Sequence, residues 1–240
     1  MVIAIIGILA ALLLPVLGGA KGKALRATCT NNLRQINLGI RVYSDESNDR
    51  FPGMASGLPI WFRYRELLQS YLGLNGPPSP QDKIFACPAD TFHYQILPTG
   101  NLQYLAEGRY TDSNSLYSSY EFNGANASTN VSVYLPGVET LPGIGGRKLS
   151  SIPHPTKTVL IGESSAFGPF SWHQPKPAVT LPNGLLFPFF KDAKNEMSFV
   201  DGHVNYIKIY WNSSTNALGF YSFSFFYDPP TGYDYQWSGD

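Results

Sequence analysis

The first twenty residues, MVIAIIGILAALLLPVLGGA, contain no charged or strongly polar side chain. At 1.5 Å rise per residue a helix of that length is about 30 Å long, the thickness of a bilayer core. Pro15 predicts a kink, which a membrane helix tolerates, and Gly7, Gly18 and Gly19 allow neighbouring helices to approach closely. Ile3, Ile6, Gly7, Leu12, Leu13 and Pro15 are therefore the candidate membrane and assembly positions. Beyond Ala20 the pattern changes: Leu25, Cys29, Leu33, Ile36, Ile40 and Tyr43 recur at spacings of 4, 4, 3, 4 and 3. That is one face of an α-helix, with Arg26, Thr30, Arg34, Asn37 and Arg41 elsewhere on its surface. A single helix, apolar and then amphipathic, is predicted to run to about Ser44, ending before the turn formers of 45–53.

The rest of the chain reads as short elements between loops. Ile60–Gly73 has apolar residues at 60, 61, 64, 67, 68, 71 and 72, a short amphipathic helix. Cys87-Pro88 is expected in a short extended segment within Lys83–Phe92. Strands are predicted at Leu116–Phe122, Thr158–Glu163, Met197–Val200 and His203–Trp211, with Asp201-Gly202 as a two-residue hairpin turn. Long Gly/Pro/Asn loops occupy Gly124–Gly146 and Ala166–Pro188. The fold class is α+β: a long helix, kinked at Pro15, on a small antiparallel sheet head. Its divisions are an apolar half-helix over 1–20, an amphipathic half over 21–50 and a globular head over 51–240.

Composition narrows the function. Seventeen Lys plus Arg balance seventeen Asp plus Glu, and charged residues make up 14%, against roughly 25% in an average soluble protein. No broad electrostatic footprint for nucleic acid exists; the basic cluster of Lys21, Lys23, Arg26, Arg34 and Arg41 is local to one helix. Fifteen Tyr, fifteen Phe, 23 Gly and 19 Pro fit a loop-rich β head.

The apolar start has three readings: a membrane anchor, a signal peptide cleaved near Gly18-Gly19-Ala20, or a buried core helix. The helical pattern beyond Ala20 and the lack of a basic segment before it weigh against cleavage. Cys29 and Cys87 form an even pair, which in an exported chain suggests one disulfide and otherwise two unrelated buried thiols.

VIAIIGILAALLLPVL followed by CTNNLRQINLGIRVYSDESNDRFPG resembles the N-terminus of type IV pilin-like proteins. It is most similar to the pseudopilin-type group of planctomycetes and verrucomicrobia. FVDGHVNYI, Phe199–Ile207, is similar to that group's F-x-DGHV element, so Phe199, Asp201, Gly202 and His203 form a candidate hairpin motif. The group often has a histidine ten residues before the Asp; Lys191 stands there, and His173, displaced by a longer loop, is the substitute considered. The CPAD element at Cys87 also matches, and with it the resemblance implies a Cys29–Cys87 bridge stapling head to helix. The resemblance further implies a structural subunit of a type II secretion or type IV filament system, held in the inner membrane as a single-pass protein. Its head would lie in the periplasm or outside the cell. Its partners would be sister subunits, inner-membrane assembly machinery and membrane lipid. The group's leader, cleavage glycine and acidic residue precede the run matched here, and the reading frame is expected to extend upstream to them. A basic leader would also offset Lys21, Lys23 and Arg26, which alone would place that end in the cytoplasm.

Gly162–Ala166 has the order but not the final glycine of a nucleophile elbow, and Asp201 and His203 suit a turn better than a triad. No catalytic residue is expected. The four histidines lack ligand spacing. Asp201, Asp228 and Asp234 are possible calcium donors but form no D-x-D-x-D-G run, so no cofactor is expected. The alternative function is carbohydrate or ligand binding on a membrane anchor. It would use the aromatic C-terminus, including Phe220, Tyr221, Phe223, Phe225, Phe226, Tyr227, Tyr233, Tyr235 and Trp237.

Overall fold

The computed structural model describes residues 2–53, 60–96, 102–127, 141–180, 186–211 and 223–240. Helix α1, Val2–Glu46, runs unbroken for 45 residues through Pro15, a length of about 67 Å. The missing Pro15 N–H leaves the Ala11 carbonyl without its intrahelical donor. In its second half the expected face is buried: Cys29, Leu33, Ile36 and Ile40 are fully enclosed, with Leu25 and Tyr43 packed at the margin.

In the first half the described side chains are bare. Ile3, Ile6, Leu9, Leu12, Leu13, Leu14, Val16 and Leu17 are 54–85% exposed. Gly7 and Pro15 are exposed among them. Among the described residues no helix is long and apolar enough to cross a membrane. The span expected over Met1–Ala20 includes Met1 and the side chains of Val2, Ala4, Ile5, Ile8 and Ala10, which lie outside those described.

The head is built on a four-stranded antiparallel sheet in the order β3-β4-β7-β8. These strands are β3 (Tyr120–Phe122), β4 (Val159–Glu163), β7 (Ala193–Phe199) and β8 (Val204–Ile209). Among the described residues two further strand pairs occur that the hydrophobic pattern does not reveal. One joins β1 (His93–Ile96) to β2 (Leu102–Leu105), the other β5 (Val179–Thr180) to β6 (Leu186–Phe187). Helix α1 packs on β7, β4 and β8. Helix α2, Ile60–Leu68, continues into a 3₁₀ turn at Ser70–Leu72. That turn reaches α1 at Gly39, where a Cβ would stand 2.8 Å from a Leu72 methyl.

One core cluster joins the α1 face to Tyr64, Phe85, Phe122 and Ile161. A second joins Val159, Met197, Phe199 and Ile209 to Phe167, Tyr235 and Trp237. The short helix α3, Ser164–Phe167, lies directly after β4.

Three local expectations are corrected. The strand expected from Leu116 begins only at Tyr120, because Leu116 and Tyr117 take φ of 49° and 57° and fold the chain into a turn. Those carbonyls are held by Arg65 Nη1, an arginine fully buried in α2. Cys87-Pro88 follows a 3₁₀ turn at Lys83–Phe85 rather than lying in an extended segment. The hairpin loop has three residues, not two: the Gly202 N–H donates to the Phe199 carbonyl, and the Phe199 N–H to that of His203. Gly202 alone takes the positive φ, 102°, the left-handed position that closes a three-residue loop.

Candidate functional site

The hairpin motif serves the junction between head and helix. The Asn37 amide on α1 donates to Ser198 Oγ at 2.6 Å and to the Phe199 carbonyl at 2.8 Å. One turn later Arg41 donates to the Val200 carbonyl. Phe199 is buried, and the His203 ring stacks on it at 4.2 Å, 3° from parallel. Asp201 Oδ1 accepts from the His203 N–H at 3.1 Å and lies 2.6 Å from Nδ1, which fixes the ring over Phe199. The four motif residues thus shape a turn that α1 grips.

A second constellation lies where α1, the sheet and the loop after α3 meet. Cys29 and Cys87 are joined by a disulfide, Cα–Cα 5.1 Å, with both residues fully buried. Glu163, at the end of β4, is also fully buried. Its Oε1 lies 3.2 Å from Cys87 Sγ and 2.8 Å from His173 Nε2, while Oε2 accepts the Glu196 N–H at 2.9 Å. The His173 side chain is 6% exposed, and Nε2 stands 3.9 Å from Cys87 Sγ. Arg26 on α1 pairs with Glu196 at 3.4 Å and lies over the Tyr206 ring at 4.6 Å. Tyr206 meets His173 edge to face.

This is a low-dielectric pocket with several ionisable groups in reach of one another. Burial, then the Glu163 charge, pushes the Glu196 carboxyl up to about 7. Burial works to lower the His173 pKa, but the hydrogen bond to Glu163 and its charge outweigh that and raise it. Nearby, burial drives Asp90 up to about 7 although Ser119 Oγ donates to it at 2.7 Å.

Of these groups the sequence singled out the two cysteines, His173 and, as part of the basic helix cluster, Arg26. The structure places His173 against Glu163, while Asp201 takes His203 as its partner, so His173 does not stand at the hairpin motif. Glu163, Glu196, Arg26 and Tyr206 went unnoticed as a set because they come from four separate elements. The available signal was an acid in each of two strands, at the end of the apolar TVLIGE and within NEMSF.

Ser164 and Ser165 are buried, their hydroxyls donating to Glu121 and Asn195. Asp228 accepts from the Trp237 and Ser238 N–H groups, tying down the C-terminal turn. Among the described residues the one group of metal-capable side chains is Cys29, Cys87, Glu163 and His173, which includes none of Asp201, Asp228 and Asp234. Part of the aromatic C-terminus turns inward: Trp237 is fully buried against Phe167 at 5.0 Å, and Phe225 and Tyr235 are buried with it. These three rings are core and close the second cluster, while Phe223, Tyr227 and Tyr233 are half-buried and the Phe226 side chain lies outside those described. Phe220 and Tyr221 lie outside the described residues. No family model, curated protein or solved structure matches this chain.

Proposed function

We propose that this chain is a pilin-like structural subunit of a type II secretion or type IV filament system. The carrying observation is the contrast within α1. One face of its second half is buried by the head, with Leu38 and Val42 left exposed, whereas its first half presents at least eight bare large apolar side chains. Residues 3, 6, 9, 12, 13, 14, 16 and 17, turning 100° each, spread over an arc of about 200° of the helix, wider than the stripe of an ordinary surface helix. An apolar surface of that extent requires a cover, which a surrounding lipid phase or a bundle of like helices supplies.

On this reading the apolar half resides in the inner membrane before assembly, as a single pass, with the head in the periplasm or outside the cell. It then packs against the same segment of sister chains. The exposed Gly7 leaves room for close helix approach there. The disulfide and the hairpin grip serve one mechanical end: they make the head rigid with the stalk, so that stacking helices fixes the position of heads. The amino-terminal resemblance supports the same reading.

The test is Leu12→Asp. A carboxylate at the centre of an apolar span costs on the order of 3 kcal/mol. The variant is expected to leave the membrane fraction and to be absent from sheared surface filaments, with its disulfide still formed. Normal retention and normal assembly would refute the role.

A further inference from the structure

Cys29 Sγ, Cys87 Sγ, Glu163 Oε1 and His173 Nε2 all lie within 4.8 Å of one another. Two thiolates, an imidazole and a carboxylate form a tetrahedral donor set of zinc type. With bonds of about 2.0–2.3 Å, tetrahedral ligand atoms stand roughly 3.3–3.8 Å apart. The distances present are 3.2 Å from Cys87 to Glu163, 2.8 Å from Glu163 to His173 and 3.9 Å from Cys87 to His173. Opening the S–S bond is thus the main movement that the geometry needs. The outer shell is also in place, since the Glu196 N–H holds Glu163 Oε2 and leaves Oε1 toward the sulfurs.

We propose that the reduced chain holds one zinc-class divalent cation between Cys29, Cys87, Glu163 and His173, and that disulfide and metal are alternative occupants of this buried site. The exchange balances with a dithiol reductant acting when the head opens locally. A reductant thiolate attacks one sulfur, the Cys29–Cys87 bond breaks, and the reductant departs as its own disulfide. Two electrons and two protons remain on the two cysteines as thiols. The cation then displaces both thiol protons, and a third from His173 where the ring is protonated, so affinity rises with pH. A disulfide oxidant reverses the sequence: one thiolate attacks it, the second closes the Cys29–Cys87 bond, the oxidant leaves as two thiols carrying the two electrons, and the metal is expelled. The bridge that staples head to stalk would then be preceded, in a reducing compartment, by a metal clip at the same point.

The full chain in mild detergent, reduced with dithiothreitol and desalted without oxygen, should bind one Co²⁺. The expected spectrum has tetrahedral ligand-field bands and thiolate-to-cobalt charge transfer, both abolished by added Zn²⁺. The oxidised chain should show neither band. His173→Ala and Glu163→Ala should each weaken binding at least tenfold. Equal affinity in both variants would place the metal on the thiols alone and overturn the site, as would a six-coordinate spectrum or no binding. Near-ultraviolet circular dichroism covers the case in which reduction unfolds the head. Restoration of the native signal by Zn²⁺ supports the proposal; metal bound to a chain that stays unfolded contradicts it.

Discussion

Removing the Cys29–Cys87 bridge, as the double variant Cys29→Ala/Cys87→Ala, probes the link between stalk and head. The bridge closes a separation of 58 residues. In the chain-entropy relation this loop restricts the unfolded chain by about 14 cal/mol/K, or about 4 kcal/mol at 25 °C. Both sulfurs are fully buried, so their replacement adds a small cavity cost of about 1 kcal/mol. A loss of 4–5 kcal/mol, roughly, is a third or more of a typical domain's stability. Equilibrium urea unfolding of the full chain in mild detergent measures it, with tryptophan fluorescence reporting on the buried Trp172 and Trp237. Because the unlinked unfolded chain is more expanded, the m-value should rise as stability falls. A loss below about 1 kcal/mol with an unchanged m-value would mean that the bridge constrains little and that the entropic reasoning fails here.

Arg65→Met should cost about 3–5 kcal/mol in the same assay, because it strands the Asp82 carboxylate 2.5 Å away and the carbonyls of Ser79, Leu116 and Tyr117. Arg65→Lys should not restore it, since one ammonium cannot serve this fork of acceptors while packing on Phe85. The pH dependence has a definite sign. Asp90 is raised to about 7 in the folded chain, so it opposes folding above neutrality and the loss is recovered as pH falls toward its unfolded value near 4, on the order of 4 kcal/mol. His173, raised by Glu163, acts the same way: its contribution is full below its unfolded value and is lost as pH rises through the folded one. His93 has the opposite sign, because burial lowers its pKa and its neutral form is favoured. The clean readout is therefore the difference between wild type and Asp90→Asn at pH 5 and pH 8. The variant should gain stability at pH 8 and little at pH 5; an equal change at both would refute the assignment.

The long helix was legible because one periodicity switch, from uniform apolarity to a 4, 4, 3, 4, 3 spacing, fixes both its length and its buried face. Strands β4 and β8 were legible from their apolar runs, but β7 was read only from Met197, four residues after it begins at Ala193. The turn at Leu116–Tyr117 was not, since its positive φ values are imposed by Arg65, an arginine some fifty residues earlier whose burial no local pattern announces. Of the candidate site, the cysteine pair was readable from count and context. The Glu163–His173 contact was not: it joins the end of a strand to an irregular loop, and the loop path rather than any spacing brings them together. Trp237 shows the converse error, an aromatic near the end of the chain read as a possible stacking face but enclosed as core.

The assembly role is tested most directly by placing a photo-crosslinking benzoylphenylalanine at position 13, where Leu13 is 64% exposed, in the full chain in its native membrane. Illumination is predicted to give a ladder of dimers and higher multiples of this chain, lost with Leu12→Asp. A monomer alone, or the same ladder in the presence of Leu12→Asp, would contradict the account.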